Sequence, residues 1–179
     1  MKHTGTIKLE TKRLILRRFV MEDAAMMFNN WANDSEVTKY LTWPHHSDVS
    51  VTKQILTMWI NDYENPKFYQ WGIELKETGE LIGGISLVKV DDEENKVEAG
   101  YTLSRNYWNK GITTEALKEV IRFCFDELKA KEVTARFDEE NIASGKVMEK
   151  CGMTYTHDTL DKNNTHKLCV CKNYSIKVK

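Results

Sequence analysis

The chain has 179 residues, 41% of them hydrophobic and 30% charged, with a formal net charge of -1. That length suits a single domain that buries its own core. The near-neutral balance excludes a general electrostatic hold on nucleic acid or on an anionic membrane, and no apolar run is long enough to span a bilayer. The opening MKHTGTIKLETKRL lacks an apolar signal core. A cytoplasmic location is therefore expected, with Cys124, Cys151, Cys169 and Cys171 as free thiols.

Residues 13–19 (RLILRRF), rich in branched and aromatic side chains, read as a first strand. Glu22-Asp23 opens a helix that sets Ala24, Met27, Phe28 and Trp31 on one side. Residues 35–41 follow as a second short helix. Trp43-Pro44-His45-His46 breaks the pattern, because proline restricts itself and the residue before it; a solvated connector is expected there. A further helix covers residues 48–63, with Ile55, Met58, Trp59 and Asp62 marking its turns.

The middle of the chain is strand-like. Residues 68–75 alternate, 76–79 turn, and 80–90 return as a strand. The Gly83-Gly84 pair inside it points to a bulge or a close backbone approach. A polar turn at 91–95 leads into a strand at 96–103. Residues 111–128 form the clearest helix: Leu117, Val120, Ile121, Cys124, Phe125 and Leu128 fall on one stripe. A strand at 131–137 follows, then a helix that Asn141 caps and Gly152 ends. Residues 153–160 and 165–176 close the chain as a hairpin. The order is strand, two or three helices, three antiparallel strands, helix, strand, helix, two strands. It makes one mixed α/β (α+β) domain over residues 1–179.

Most of the functional signal lies in residues 98–116, EAGYTLSRNYWNKGITTEA, which run from a strand through a polar turn into a helix. A helix N-terminus presents unpaired backbone N–H groups and the positive end of the helix dipole. With Gly111 beside it, this start is suited to a phosphate that comes close to the backbone.

That segment, together with the opening LETKRLILRRF and the later NIASGKVMEKCGM, resembles the GNAT superfamily of acetyl-CoA-dependent N-acyltransferases. Within it the chain is similar to the RimJ/RimL branch of ribosomal-protein N-terminal acetyltransferases, and the resemblance covers nearly the whole chain. It implies a mostly antiparallel, splayed central sheet flanked by helices. It implies acetyl-CoA as co-substrate, with the backbone N–H groups of Asn109, Lys110, Gly111, Ile112, Thr113 and Thr114 on the pyrophosphate. The strand around Tyr101, Thr102 and Leu103 should splay from its neighbour and pair with the pantetheine arm. Asn141 is implied on the pantetheine, Ser144 near the thiol, and Lys146 at the nucleotide phosphates. Asn109 departs from a glycine often found there, and Thr113 from the final small residue of the phosphate loop.

Acyl transfer to an amine requires a neutral nucleophile, a polarised thioester carbonyl and a proton for the departing thiolate. Neutralising a lysine-type amine at pH 7 costs roughly 4–5 kcal/mol, and an α-amino terminus only about 1–1.5 kcal/mol. Glu98, on the strand before the phosphate turn, holds a place where some family members carry a catalytic glutamate. It is the candidate base, directly or through water; the alternative is a strand glutamate paired with a nearby Lys or Arg. Many relatives use a tyrosine acid at the place of Met148, which has no proton to give, so the pattern points to Ser144 as the group that serves the thiolate. Tyr155 is a weaker alternative.

Cys169-x-Cys171 with His166 suggests a metal, but no second ligand pair stands at a zinc-like spacing, and none is expected. The acceptor is expected to be a protein N-terminal α-amine. A small-molecule amine (amino acid, polyamine or antibiotic) is the rival, and a coenzyme A binding module without catalysis is the alternative from another class. The closing hairpin offers an exposed edge strand on which a homodimer can pair.

Overall fold

A computed structural model describes residues 1–178. Its strands are β1 (Leu9–Glu10), β2 (Leu14–Arg17), β3 (Gln70–Leu75), β4 (Leu81–Asp91), β5 (Lys96–Leu103), β6 (Glu132–Asp138), β7 (Thr154–Lys162) and β8 (Leu168–Lys177). Its helices are α1 (Ala24–Met27), α2 (Ser35–Thr38), α3 (Val49–Asp62), α4 (Ile112–Asp126) and α5 (Ile142–Lys150). The strands form one sheet in the order β1-β2-β3-β4-β5-β6-β8-β7. All neighbours run antiparallel except β5 and β6, which are parallel. No helix among the described residues is long and apolar enough to cross a membrane.

Two cores sit on the sheet. In one, Leu14, Leu16, Trp71, Ile73, Ile85, Val97 and Ala99 meet the α4 stripe of Ala116, Leu117, Val120 and Cys124. Burial alternates along β2 and through the first half of β5, as strands buried on one face require. The second core gathers Phe19, Ala24, Met27, Trp31, Leu56 and Leu81 between the sheet and α1–α3.

The expected element order holds, with one addition and several local differences. The two-residue β1 is too short to leave a pattern in the sequence. The first helix is a run of three kinds: a 3-10 turn at Met21–Asp23, α1, and a π-helical turn at Phe28–Ala32. On α3 the fully buried residues are Thr52 and Leu56, while Met58 is exposed. On β4 the register shifts fall opposite Ile73/Glu74, where the ladder skips Ile82 just before Gly83, and at Leu87/Lys89, rather than within the Gly83-Gly84 pair itself. Gly83 instead allows a close approach: a Cβ there lies 2.4 Å from the Thr102 carbonyl oxygen. His46 is not a solvated connector. It is buried, and its Nδ1 lies 2.7 Å from Thr52 Oγ1. His45 beside it is exposed.

Candidate active site

β5 is closed on one side and half-open on the other. It pairs with β4 along its whole length, from Lys96 opposite Asp91 to Leu103 opposite Gly83. Its pairing with β6 covers only Lys96, Val97 and Glu98. β6 continues to Asp138, but paired with β8 on its far side. The strands therefore part after Glu98, and the β6-facing backbone groups of β5 around Tyr101, Thr102 and Leu103 have no ladder partner. Thr102 adds a buried hydroxyl oxygen without a hydrogen-bond partner among the described residues. Polar groups left this way carry a desolvation cost that a bound polar chain removes.

At the end of the gap, the chain turns through Ser104–Trp108 into α4. Trp108 anchors the turn by donating its indole N–H to the Leu103 carbonyl at 2.9 Å. Asn109 and Gly111 both take left-handed backbone conformations, with φ 61° and 71°. Asparagine tolerates that region better than most side chains, so Asn109 adopts it without a glycine. Gly111 is the N-cap of α4 and supplies no side-chain cap. Among the described residues, no backbone N–H from Asn109 through Thr114 reaches a protein acceptor. Arg13 braces the turn from outside, bonding the Lys110 carbonyl at 2.9 Å and Glu115 Oε2 at 2.6 Å. Thr11 donates to the other Glu115 oxygen at 2.6 Å.

On the β6 side of the gap, α5 begins with Asn141 at the N-cap position, yet its side chain makes no cap hydrogen bond. The expected capping role is therefore positional only, and the carboxamide has no hydrogen-bond partner among the described residues. Gly145 lets α5 sit close on β6: a Cβ there falls 2.5 Å from the Phe137 ring. Ser144 faces Tyr101 across the gap, with their hydroxyls 2.9 Å apart. Tyr101 also donates to the Ser144 carbonyl oxygen at 3.1 Å. Burial pushes the Tyr101 phenol well above its ordinary value. Met148 is 1% exposed, built into the core. Gly152 ends the helix with φ 82°, as its place in the sequence implies.

Glu98 stands at the last paired position before the strands separate. Its Oε1 lies 3.0 Å from Arg136 Nε, and Arg136 also bonds Asp161 at 2.5 Å. The pairing with a basic neighbour is thus realised, though no hydrogen bond of good geometry reaches the Glu98 carboxylate among the described residues. Glu98 and Tyr101 lie an odd number of positions apart on one strand and so face opposite sides of the sheet. Lys146 is exposed on α5. It lines a groove over β8 and β7 with Phe137, Ile142, Tyr155 and Tyr174. All four cysteines are free, and burial raises the thiols of Cys124 and Cys171 to about 12. No cluster of metal-ligating side chains occurs among the described residues.

Sequence reasoning names the Asn109–Thr114 turn, Glu98 and Ser144 as parts of one site but does not name three side chains that the structure sets beside them. Arg136 is brought to Glu98 by parallel strand pairing, which leaves no local pattern. Arg13 reaches Lys110 and Glu115 across the fold. The Tyr101 phenol had a signal: it shares the inward face of β5 with Val97, Ala99 and Leu103, where a hydroxyl has to find a partner.

Residues 13–154 match the acetyltransferase (GNAT) domain family. The uncharacterized N-acetyltransferase p20 of Bacillus licheniformis is 36% identical over 141 residues, covering 78% of each chain. A GNAT-family acetyltransferase from Bacillus anthracis superposes with a TM-score of 0.82 at 25% identity, over 96% of this chain and 98% of that one. RimL, a ribosomal L7/L12 α-N-protein acetyltransferase solved with coenzyme A, shares the fold with a TM-score of 0.85 at 14% identity, over 96% and 98% of the two chains.

Proposed function

The chain belongs to the GNAT acetyltransferase family, and from that premise we propose that it transfers acetyl from acetyl-CoA directly to the α-amine of a protein N-terminus. The observation that supports the cofactor assignment is unpaired backbone in two stretches joined by the bonded Ser104–Trp108 turn. Among the described residues these are the open edge of β5 beyond Glu98 and the N–H groups of Asn109 through Thr114. Pantetheine needs amide partners along an extended strand, and a pyrophosphate needs converging N–H donors at a helix start. The Asn141 carboxamide and the Thr102 hydroxyl are likewise without a hydrogen-bond partner among the described residues.

Acetyl-CoA supplies an activated thioester. The residues of the chain then have three tasks. Asn109 through Thr114 hold the pyrophosphate, and β5 with Asn141 holds the pantetheine arm. Glu98, directly or through a water, takes the proton that the amine loses as its nitrogen bonds the acetyl carbon. Ser144 donates to the sulfur that keeps the electron pair of the broken C–S bond. No acyl-enzyme is required. An α-amine gives up its proton at less cost than a lysine side chain and so asks less of the base, which supports the α-amine acceptor.

Thiol release from acetyl-CoA, followed across a panel of N-terminal peptides, lysine peptides and small amines, tests this reading. Fast turnover on peptide α-amines is expected. Turnover on small amines alone moves the acceptor to that class, and coenzyme A binding with no turnover on any amine reduces the protein to a binding module. If Glu98 is the base, Glu98→Gln lowers turnover at neutral pH and regains part of it at higher pH; unchanged activity removes Glu98 from the mechanism.

A further inference from the structure

The Tyr101 phenol makes two polar contacts, both with Ser144: 2.9 Å to the hydroxyl and 3.1 Å to the carbonyl oxygen. A phenol carries one proton, so two arrangements of hydrogens fit the same heavy atoms. In the first, Tyr101 donates to the carbonyl and the serine spends its own proton on the phenol oxygen. In the second, Tyr101 donates to Ser144 Oγ and the serine proton is free for another acceptor. Negative charge arriving beside Ser144 favours the second, and only two hydrogens have to turn.

The surroundings keep this pair in register. The tight contact of Gly145 with Phe137 fixes α5 on β6, and Tyr101 belongs to a strand held by β4 along its length. Burial raises the phenol above its ordinary value and so favours the protonated form, which can donate. Met148, one turn farther along α5, is sealed in the core and offers no substitute.

We propose that Tyr101 is a positioning residue, whose phenol fixes Ser144 Oγ and frees the serine proton for the sulfur leaving the thioester. This rests on the acetyl-transfer reading given above. The test is a double-mutant cycle with Tyr101→Phe and Ser144→Ala, assayed for kcat, KM for acetyl-CoA and melting temperature. Phenylalanine fills the same space, so the variant keeps its packing. Tyr101→Phe is expected to lower kcat about tenfold, the size of one lost hydrogen bond in the transition state, with KM for acetyl-CoA changed by less than about twofold. In the Ser144→Ala background the same change reports only the lost carbonyl contact and is expected to cost less than about twofold.

Losses that multiply in the double variant overturn the proposal, since a structural defect acts independently of the serine hydroxyl. An active Tyr101→Phe beside an impaired Ser144→Ala overturns it too, while leaving the role of Ser144 intact. A Ser144→Ala enzyme with normal kcat rejects the mechanism on which the proposal stands, and the proposal with it.

Discussion

Helices α3 and α4 begin in opposite ways. α3 starts beneath a carboxylate of its own chain, with Asp48 Oδ1 accepting from the Ser50 N–H at 2.7 Å. α2 is capped likewise, by Asp34 on Glu36. α4 starts from a left-handed glycine with no side chain to offer. The same contrast extends through the surrounding structure. On the α1–α3 side, polar groups close on one another: Arg17 grips Asp23 through two hydrogen bonds of 2.8 and 2.9 Å and reaches Glu74 as well, while His46 is bonded to Thr52. Around the β5 gap they are left over. An anion at a helix start is favourable whether it belongs to the chain or to a ligand. Where the chain supplies its own, the helix is finished; where it withholds one, the helix start stays open to an anion from outside.

This contrast separates two readouts, thermal stability and coenzyme A affinity. The largest effect belongs to the closed side. Arg17→Met leaves the Asp23 carboxylate, only 2% exposed, without its counter-ion. A buried charge stripped of its partner costs about 3 kcal/mol or more, roughly 6–12 °C in melting temperature for a domain of this size. Calorimetry should show that loss, with coenzyme A affinity unchanged at a temperature where the variant is folded. A matching fall in affinity would break the separation of the two sides.

The open side supplies the next test. Gly111→Asp gives α4 what α3 already has, a carboxylate at its start, in a residue that tolerates the left-handed backbone. Coenzyme A affinity is expected to fall about thirtyfold, or about 2 kcal/mol, by titration calorimetry, with little change in melting temperature. Gly111→Asn adds similar bulk without charge and should cost several times less affinity. Equal losses in the two variants would show that crowding, not charge, governs the turn.

How far these features were legible in the sequence follows the range of the forces that set them. β5 was readable to its last residue, because alternating burial and flanking turns are local. α4 and the Gly152 stop of α5 were readable for the same reason. The left-handed pair at Asn109 and Gly111 was half legible: the glycine was explicit, and the asparagine that shares its conformation looked like a departure. The Glu98–Arg136 pair and the Tyr101–Ser144 contact were not legible, since each joins residues about forty positions apart through the sheet. The uncapped start of α5 shows the opposite failure. A good capping residue occupies the right position there and leaves its side chain unused.

The smallest effect is a pH slope on the closed side. His46 is buried against Thr52 and beside His45, and burial, followed by the neighbouring histidine's charge, lowers its pKa from the ordinary value. The neutral form is therefore the one the fold accepts. Above the ordinary histidine value of about 6.5, folded and unfolded chains both carry His46 neutral and its contribution is fully present. As the pH falls, the unfolded chain takes up the proton first, so stability declines through the window below that value. The decline continues until His46 protonates in the folded protein as well. Replacing it as His46→Gln should lower stability at neutral pH, because the bond to Thr52 is weakened, and should flatten the slope between pH 7 and pH 5. Coenzyme A affinity should match that of the unmodified protein at each pH, because His46 belongs to a helix start that the chain has already completed. A slope that survives the substitution assigns the acid sensitivity to another group. A substitution that shifts affinity instead ties this loop to the open side of the molecule.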